Sequence, residues 1–182
     1  MEIEKAFIET LAKVNRPGIP ELIKYLLEES TFFTDPASAR FHGNWEGGLC
    51  AHSYRVYQEF VKLTGRDDDT AKVACLLHDV CKIGTYKLGS KNVKNPDTGK
   101  WESVPQYENQ SNGFPCGHGE KSVIFLFKYI PLTEEEILMI RWHMGPYESK
   151  ECWRDLQEAQ KKYPSVLYIH FADMISSTFY DV

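Results

Sequence analysis

Apolar residues recur at helical spacing along most of this chain, and the pattern gives way to strand-like alternation in one place, residues 84–112. Such a chain must build its core by packing helix on helix, because only the interrupted segment shows the alternation a strand needs. Ile3, Phe7, Ile8 and Leu11 share a helical face before Pro17, and Pro20 sits as the first residue of a second helix carrying Leu22, Ile23, Tyr25 and Leu26. Leu49, His52, Val56, Phe60 and Leu63 predict a long helix ending at Gly65. After the acidic run Asp67–Asp69, residues 71–80 predict a largely buried helix closed by His78-Asp79. Helical spacing returns in 118–130, in the segment capped by Thr133 and Glu136 that runs to His143, in the charged stretch 150–162, and from Pro164 through Leu167, Phe171 and Ile175.

Two stretches break this pattern differently. Residues 31–48 combine turn formers with aromatics, the composition of an ordered loop wrapping a site. In 84–112, Tyr86, Leu88, Trp101 and Val104 alternate about Asn95-Pro96-Asp97-Thr98-Gly99, which predicts a small β-hairpin inserted in an otherwise all-α fold. No repeat of 20–50 residues is present, so the expectation is one domain over 1–182, with N-terminal helices over 1–30 and a core over 31–182 that carries the hairpin.

A chain of 182 residues buries about 70% of its unfolded surface without help from disulfides or metals, so a bound metal would serve function rather than folding. Five cysteines, an odd number without a C-x-x-C pair, predict reduced thiols in a cytoplasmic protein. Acids occupy the N-terminus where a secretory signal would be basic, and no apolar run reaches membrane-spanning length, so neither export nor a membrane partner is expected. The formal net charge of −5 argues against a surface that tracks duplex DNA. An anionic small molecule would need a local positive centre.

His52, His78-Asp79, His118, His143 and Asp173 can supply such a centre. Each falls at or near a predicted helix end or on an apolar face, and imidazole with carboxylate is the ligand set of first-row divalent ions. Neighbouring helical positions point about 100° apart, and a carboxylate can bridge two ions where an imidazole cannot, so Asp79 is the candidate bridge. Two ions about 3.5–4 Å apart could share a hydroxide able to attack phosphorus. A His-Asp dipeptide alone arises readily by chance; the order H…HD…H…H…D on successive helices does not.

With HGNWEGGLCAHS (42–53), ACLLHDVCKIG (74–84), GHGEKS (117–122), IRWHMG (140–145) and HFADMISS (170–177), the chain resembles the HD-domain superfamily of metal-dependent phosphohydrolases. The resemblance implies an all-α HD-domain helical bundle in which His52, His78, Asp79 and Asp173 match the ligands common to most members. His118 and His143 match the extra histidines of members with two metal ions. The segment E-G-G-L-x-x-H is similar to that of HD-type exoribonucleases and of many bacterial and phage HD hydrolases.

Around this set, Lys82 lies one helical turn beyond Asp79 and can place an ammonium beside a phosphate, as a catalytic and substrate-binding group. Arg141 and Lys121 are further cations, with Arg141 taken as substrate-binding. His42, before the loop glycines, is a candidate catalytic proton donor or substrate contact because an imidazole titrates near neutrality. His170, three residues before Asp173, is a candidate for orienting a ligand. Among the hairpin aromatics Tyr86, Trp101 and Tyr107, Tyr107 is the candidate substrate contact, stacking on a base. Cys50 and Cys81 flank ligands in sequence without a readable thiolate role.

The expected activity is therefore hydrolysis of a nucleotide or short phosphodiester by a metal-bound hydroxide, as a phosphodiesterase or nucleotidase. The candidate metals are Fe, Mn, Zn, Ni, Co and Mg, with two ions as the expectation. A mixed-valent di-iron oxygenase and a non-catalytic nucleotide-binding module are the alternatives.

Overall fold

The computed structural model describes residues 2–110 and 114–180. Helices α1 (Glu2–Leu11) and α2 (Ile19–Lys24), the latter running into a π-helical turn at Tyr25–Glu29, precede α3 (Gly48–Thr64) and α4 (Asp69–Leu77). The hairpin β1 (Tyr86–Lys94) and β2 (Trp101–Asn109) follows, then α5 (His118–Leu126), α6 (Glu134–Trp142), α7 (Trp153–Lys162) and α8 (Ser165–Phe179). The mostly helical expectation and its hairpin insertion are both met, although residues 111–112 of the expected insertion lie outside the described residues.

Helix α4 is the centre of the core. Every residue from Ala71 to Leu77 is buried, the mark of a helix surrounded by others, and it packs against α1, α3 and α6. Full burial of Val73, Leu76 and Leu77 stabilises the fold by about 1.5–3 kcal/mol each. The Asp68 carboxylate starts the helix by accepting the Ala71 N–H at 2.9 Å. Helix α3 packs on α4 and α8, and α6 on α4, α5 and α8. Leu63, expected on the buried face of α3, is 41% exposed, because that face runs out of partners one turn before Gly65. The charged 150–162 stretch is divided into a 3₁₀ turn, Lys150–Cys152, and α7.

The loop before α3 folds back on the helix start. The Ala37 N–H donates to Gly43 O at 2.9 Å and the Leu49 N–H to Asp35 O at 3.0 Å. A Cβ at position 48 would stand 2.0 Å from Gly43 O, so only glycine permits this approach. His42 is thereby held against α3. Position 119 is equally restricted: its Cβ would lie 2.4 Å from Arg141 O, so the start of α5 sits directly against the end of α6.

The hairpin pairs in antiparallel register from Tyr86↔Asn109 to Lys94↔Trp101. Its turn is organised by Asn95, whose side-chain oxygen accepts the N–H groups of Asp97 and Thr98. No residue in either strand is buried, so the hairpin stands out from the helical body.

One ion pair links distant parts of the chain. Arg16 donates two hydrogen bonds of 2.7 Å to the two oxygens of Glu136, whose side chain is fully buried. Glu136 also accepts the Thr133 N–H at 2.8 Å and completes the capping box of α6. The connection after α1 is thus latched to the start of α6. Arg16→Met strands a buried carboxylate and should lower stability by about 3 kcal/mol in urea unfolding. The double variant Arg16→Met/Glu136→Gln keeps the Thr133 hydrogen bond without the lone charge and should recover part of that loss. Equal stability of wild type and Arg16→Met would show that the latch contributes nothing.

Candidate metal centre

Five helices bring the six sequence candidates to one place. His52 lies in the first turns of α3, His78 caps the end of α4, His118 opens α5, His143 caps the end of α6, and Asp173 lies within α8. Asp79 follows His78 at the start of a 3₁₀ turn, Val80–Lys82. Packing of α3 on α8 puts His52 Nε2 3.2 Å from Asp173 Oδ1. The imidazoles form a row, His52, His78, His143 and His118, with successive ring centres 5.3, 4.8 and 5.3 Å apart.

Asp79 divides this row in two. Its Oδ1 faces His118 Nε2 at 2.5 Å and His143 Nε2 at 3.5 Å. Its Oδ2 faces His78 Nε2 at 3.4 Å, His52 Nε2 at 3.7 Å and Lys82 Nζ at 2.7 Å. One carboxylate with an oxygen toward each histidine pair is the arrangement a bridging ligand requires.

The local chemistry of the helix ends fixes which nitrogen points inward. Carbonyls in the last turn of a helix lack intrahelical partners. The His78 Nδ1–H donates to Cys75 O at 2.9 Å and the His143 Nδ1–H to Ile140 O at 2.7 Å. Because a carbonyl can only accept, each Nδ1 carries a proton, and in the neutral ring the Nε2 lone pair faces Asp79. His78 Nε2 is buried and makes no hydrogen bond among the described residues. That lone pair against a carboxylate oxygen is an arrangement that a proton or a metal ion between the two atoms makes attractive. The donors therefore fit a divalent ion: His52, His78 and Asp173 form one group, and His78, Asp79 and His143 another, each with ligand atoms within 4.8 Å. Asp79, Cys81 and His118 form a third, which adds the Cys81 thiol to the neighbourhood.

Charges in the site reinforce one another. Burial opposes ionisation of Asp79, but Lys82, then His78 and His118, hold its carboxyl well below the usual range. Burial likewise opposes the charge on Asp173, and the hydrogen bond and charge of His52 keep it ionised. Burial lowers the His118 pKa, yet Asp79 outweighs it and the imidazole rises to about 9.

A cleft of about 1040 Å³ opens onto Asp79, Lys82, His118 and Asp173. Among protein-family models, that of the HD domain matches residues 49–177, more than two thirds of the sequence. The chain belongs to the HD domain family. HD domains are generally metal-dependent phosphohydrolases, and they bind divalent metals. No curated protein and no solved structure matches the chain.

The matched span of the HD domain contains all six candidate ligands and Lys82, and leaves out His42. His42 lines the cleft with its ring centre 4.9 Å from that of His52. Burial, then His52 and Lys82, push its pKa down to about 4. The expectation that it titrates near neutrality is therefore corrected: at neutral pH this imidazole is uncharged. His170 also lines the cleft, but its Nδ1 donates to the backbone oxygen of His143 at 2.8 Å, so it holds the turn after α6 rather than a ligand side chain.

Two expected substrate contacts stand elsewhere. Arg141 is engaged by Glu120 at 2.5 Å and Glu148 at 2.9 Å and stacks on Trp142, so its guanidinium is turned away from the cleft lining. Tyr107 pairs with Leu88 within the hairpin and is not among the lining residues, while Trp101 is at the far end of the hairpin. Of the three aromatics, Tyr86 alone lies near Lys82 and Asp79. Sequence reasoning passes over Arg40, Phe41 and Tyr147, all at the cleft. The signal for the first two is their place immediately before His42, in a loop whose composition suggests that it wraps a site.

Protein purified without chelator or affinity metal should carry a first-row divalent ion by elemental analysis. Asp79→Asn removes the shared charge with little change of shape and should reduce the retained metal at least about tenfold, with unchanged far-UV circular dichroism. Equal metal in the two proteins would remove Asp79 from the ligand set.

Proposed function

We propose that this HD domain hydrolyses the phosphate ester of a nucleotide or short phosphodiester, with two divalent ions held by His52, His78, Asp79, His118, His143 and Asp173. The observation that carries this reading is the Asp79 carboxylate, which presents one oxygen to each histidine pair at the base of the large cleft. When bound, the ions lower the pKa of a water and neutralise charge that develops on the phosphate oxygens.

The protein's own groups do the rest. Lys82, held by Asp79 at 2.7 Å, keeps its ammonium charge despite burial because Asp79 raises its pKa. From the cleft wall it can contact a non-bridging phosphate oxygen. Neutral His42 offers a hydrogen bond to the substrate from the same wall. The acidic outer surface does not repel an anion here, since Arg40 and Lys82 both line the cleft and the ions would add positive charge. Phe41 and Tyr147, 81% and 77% exposed at the same cleft, offer aromatic faces for a base.

His78→Ala and Asp79→Ala should each reduce metal-dependent release of phosphate or nucleotide at least about 100-fold, and Lys82→Ala should lower kcat/KM by about the same factor. A panel of nucleotides and dinucleotides with Mn²⁺, Mg²⁺, Co²⁺, Ni²⁺, Zn²⁺ and Fe²⁺ supplies the assay. Undiminished turnover in both the His78 and Asp79 variants would rule out this reading.

A further inference from the structure

The large cleft is not the sole approach to Lys82 and His118. A second cleft, of about 520 Å³, shares these two side chains with it and lies at the base of the hairpin. Thr85, Tyr86, Asn109 and Gln110 line it from the base of the hairpin, Phe114 from the chain entering α5 and Lys121 from α5 itself. The base is tied by the Tyr86↔Asn109 pair and by the Gln110 N–H, which donates to Thr85 O at 2.7 Å. Asp79 touches both shared residues, Lys82 at 2.7 Å and His118 at 2.5 Å, so the two clefts meet beside the candidate bridging carboxylate.

The clefts differ in chemistry. Phe41, Tyr147 and Met174 give the large one aromatic and thioether surface. Asn109 and Gln110 amides, the Thr85 and Tyr86 hydroxyls and the Lys121 ammonium give the hairpin-base cleft hydrogen-bonding groups. Each volume exceeds the roughly 300 Å³ at which small-molecule sites begin. A phosphate monoester has one organic group and can occupy only one of the two.

Building on the phosphohydrolase reading above, we infer that the substrate is a phosphodiester with a nucleoside-sized group on each side of phosphorus. One group lies against Phe41 and Tyr147, the other occupies the hairpin-base cleft, and the phosphate sits at the junction beside Lys82 and His118. Hydrolysis forms one P–O bond to the water oxygen and breaks one P–O ester bond. The leaving alcohol takes one proton of the water, and the other passes to solvent from the new phosphate monoester. The hairpin, which contributes nothing to the core, thereby acquires a role in recognising the second group.

The test compares the dinucleoside monophosphate ApA with AMP, both with Mn²⁺-loaded protein, in wild type and in the double variant Asn109→Ala/Gln110→Ala. Both side chains are exposed, so the variant should fold, which circular dichroism checks. Wild type should favour ApA over AMP in kcat/KM by at least about tenfold, and the variant should lower that ratio at least about fivefold. An AMP preference in wild type, or a ratio unchanged in the variant, overturns the diester inference while leaving phosphate-ester hydrolysis standing. Failure to hydrolyse either compound, with any ion of the panel, overturns the phosphohydrolase reading and this inference together.

Discussion

A fully buried carboxylate surrounded by four imidazole nitrogens and an ammonium is the interaction around which this molecule is arranged. Burying Asp79 alone would cost several kcal/mol, and Lys82 at 2.7 Å and His118 at 2.5 Å supply compensating charge on either side of it. At His78 and His143, helix-end carbonyls take the Nδ1 protons and leave lone pairs aimed at the same carboxylate. The cluster is coherent when cations occupy it, and each neighbouring element can be understood by how it delivers one of its groups.

Delivery depends on packing remote from the cluster. Helix α4 is apolar on every side, which fixes its position within the bundle and so places His78-Asp79 at its end. Glycine at 48 lets the 31–48 loop close over α3 and carries His42 to the cleft; glycine at 119 sets the start of α5 on the end of α6, bringing His118 to His143. The Arg16–Glu136 pair secures the other end of α6. The positions of the candidate ligands are thus consequences of helix contacts and of the close backbone approaches at Gly48 and Gly119.

Much of this architecture is legible in the amino-acid sequence wherever local chemistry decides it. The Thr133…Glu136 capping box, the stop at Gly65 and the Asn95–Gly99 turn each act over a few residues, and the structure shows all three. The six candidate ligands converge as their order on successive helices implies. What escapes a reading of the sequence depends on contacts between distant segments. Nothing near Arg141 in sequence announces that Glu120 and Glu148 occupy it, and nothing near Arg16 points to Glu136. His42 reads as an ordinary imidazole in sequence because burial and the nearby His52 and Lys82 are properties of the folded chain. Tyr107 illustrates a register effect: its partner is Leu88, and its position along the strand keeps it from the cleft that Tyr86, at the hairpin base, approaches.

Whether Asp79 bridges two ions is decided by anomalous diffraction from crystals grown with Mn²⁺. Two peaks about 3.5–4 Å apart, one beside His52, His78 and Asp173 and the other beside His118 and His143, with an Asp79 oxygen next to each, are the predicted result. A map with no peak inside the histidine cluster, or with a single peak that Asp79 does not contact, would contradict it.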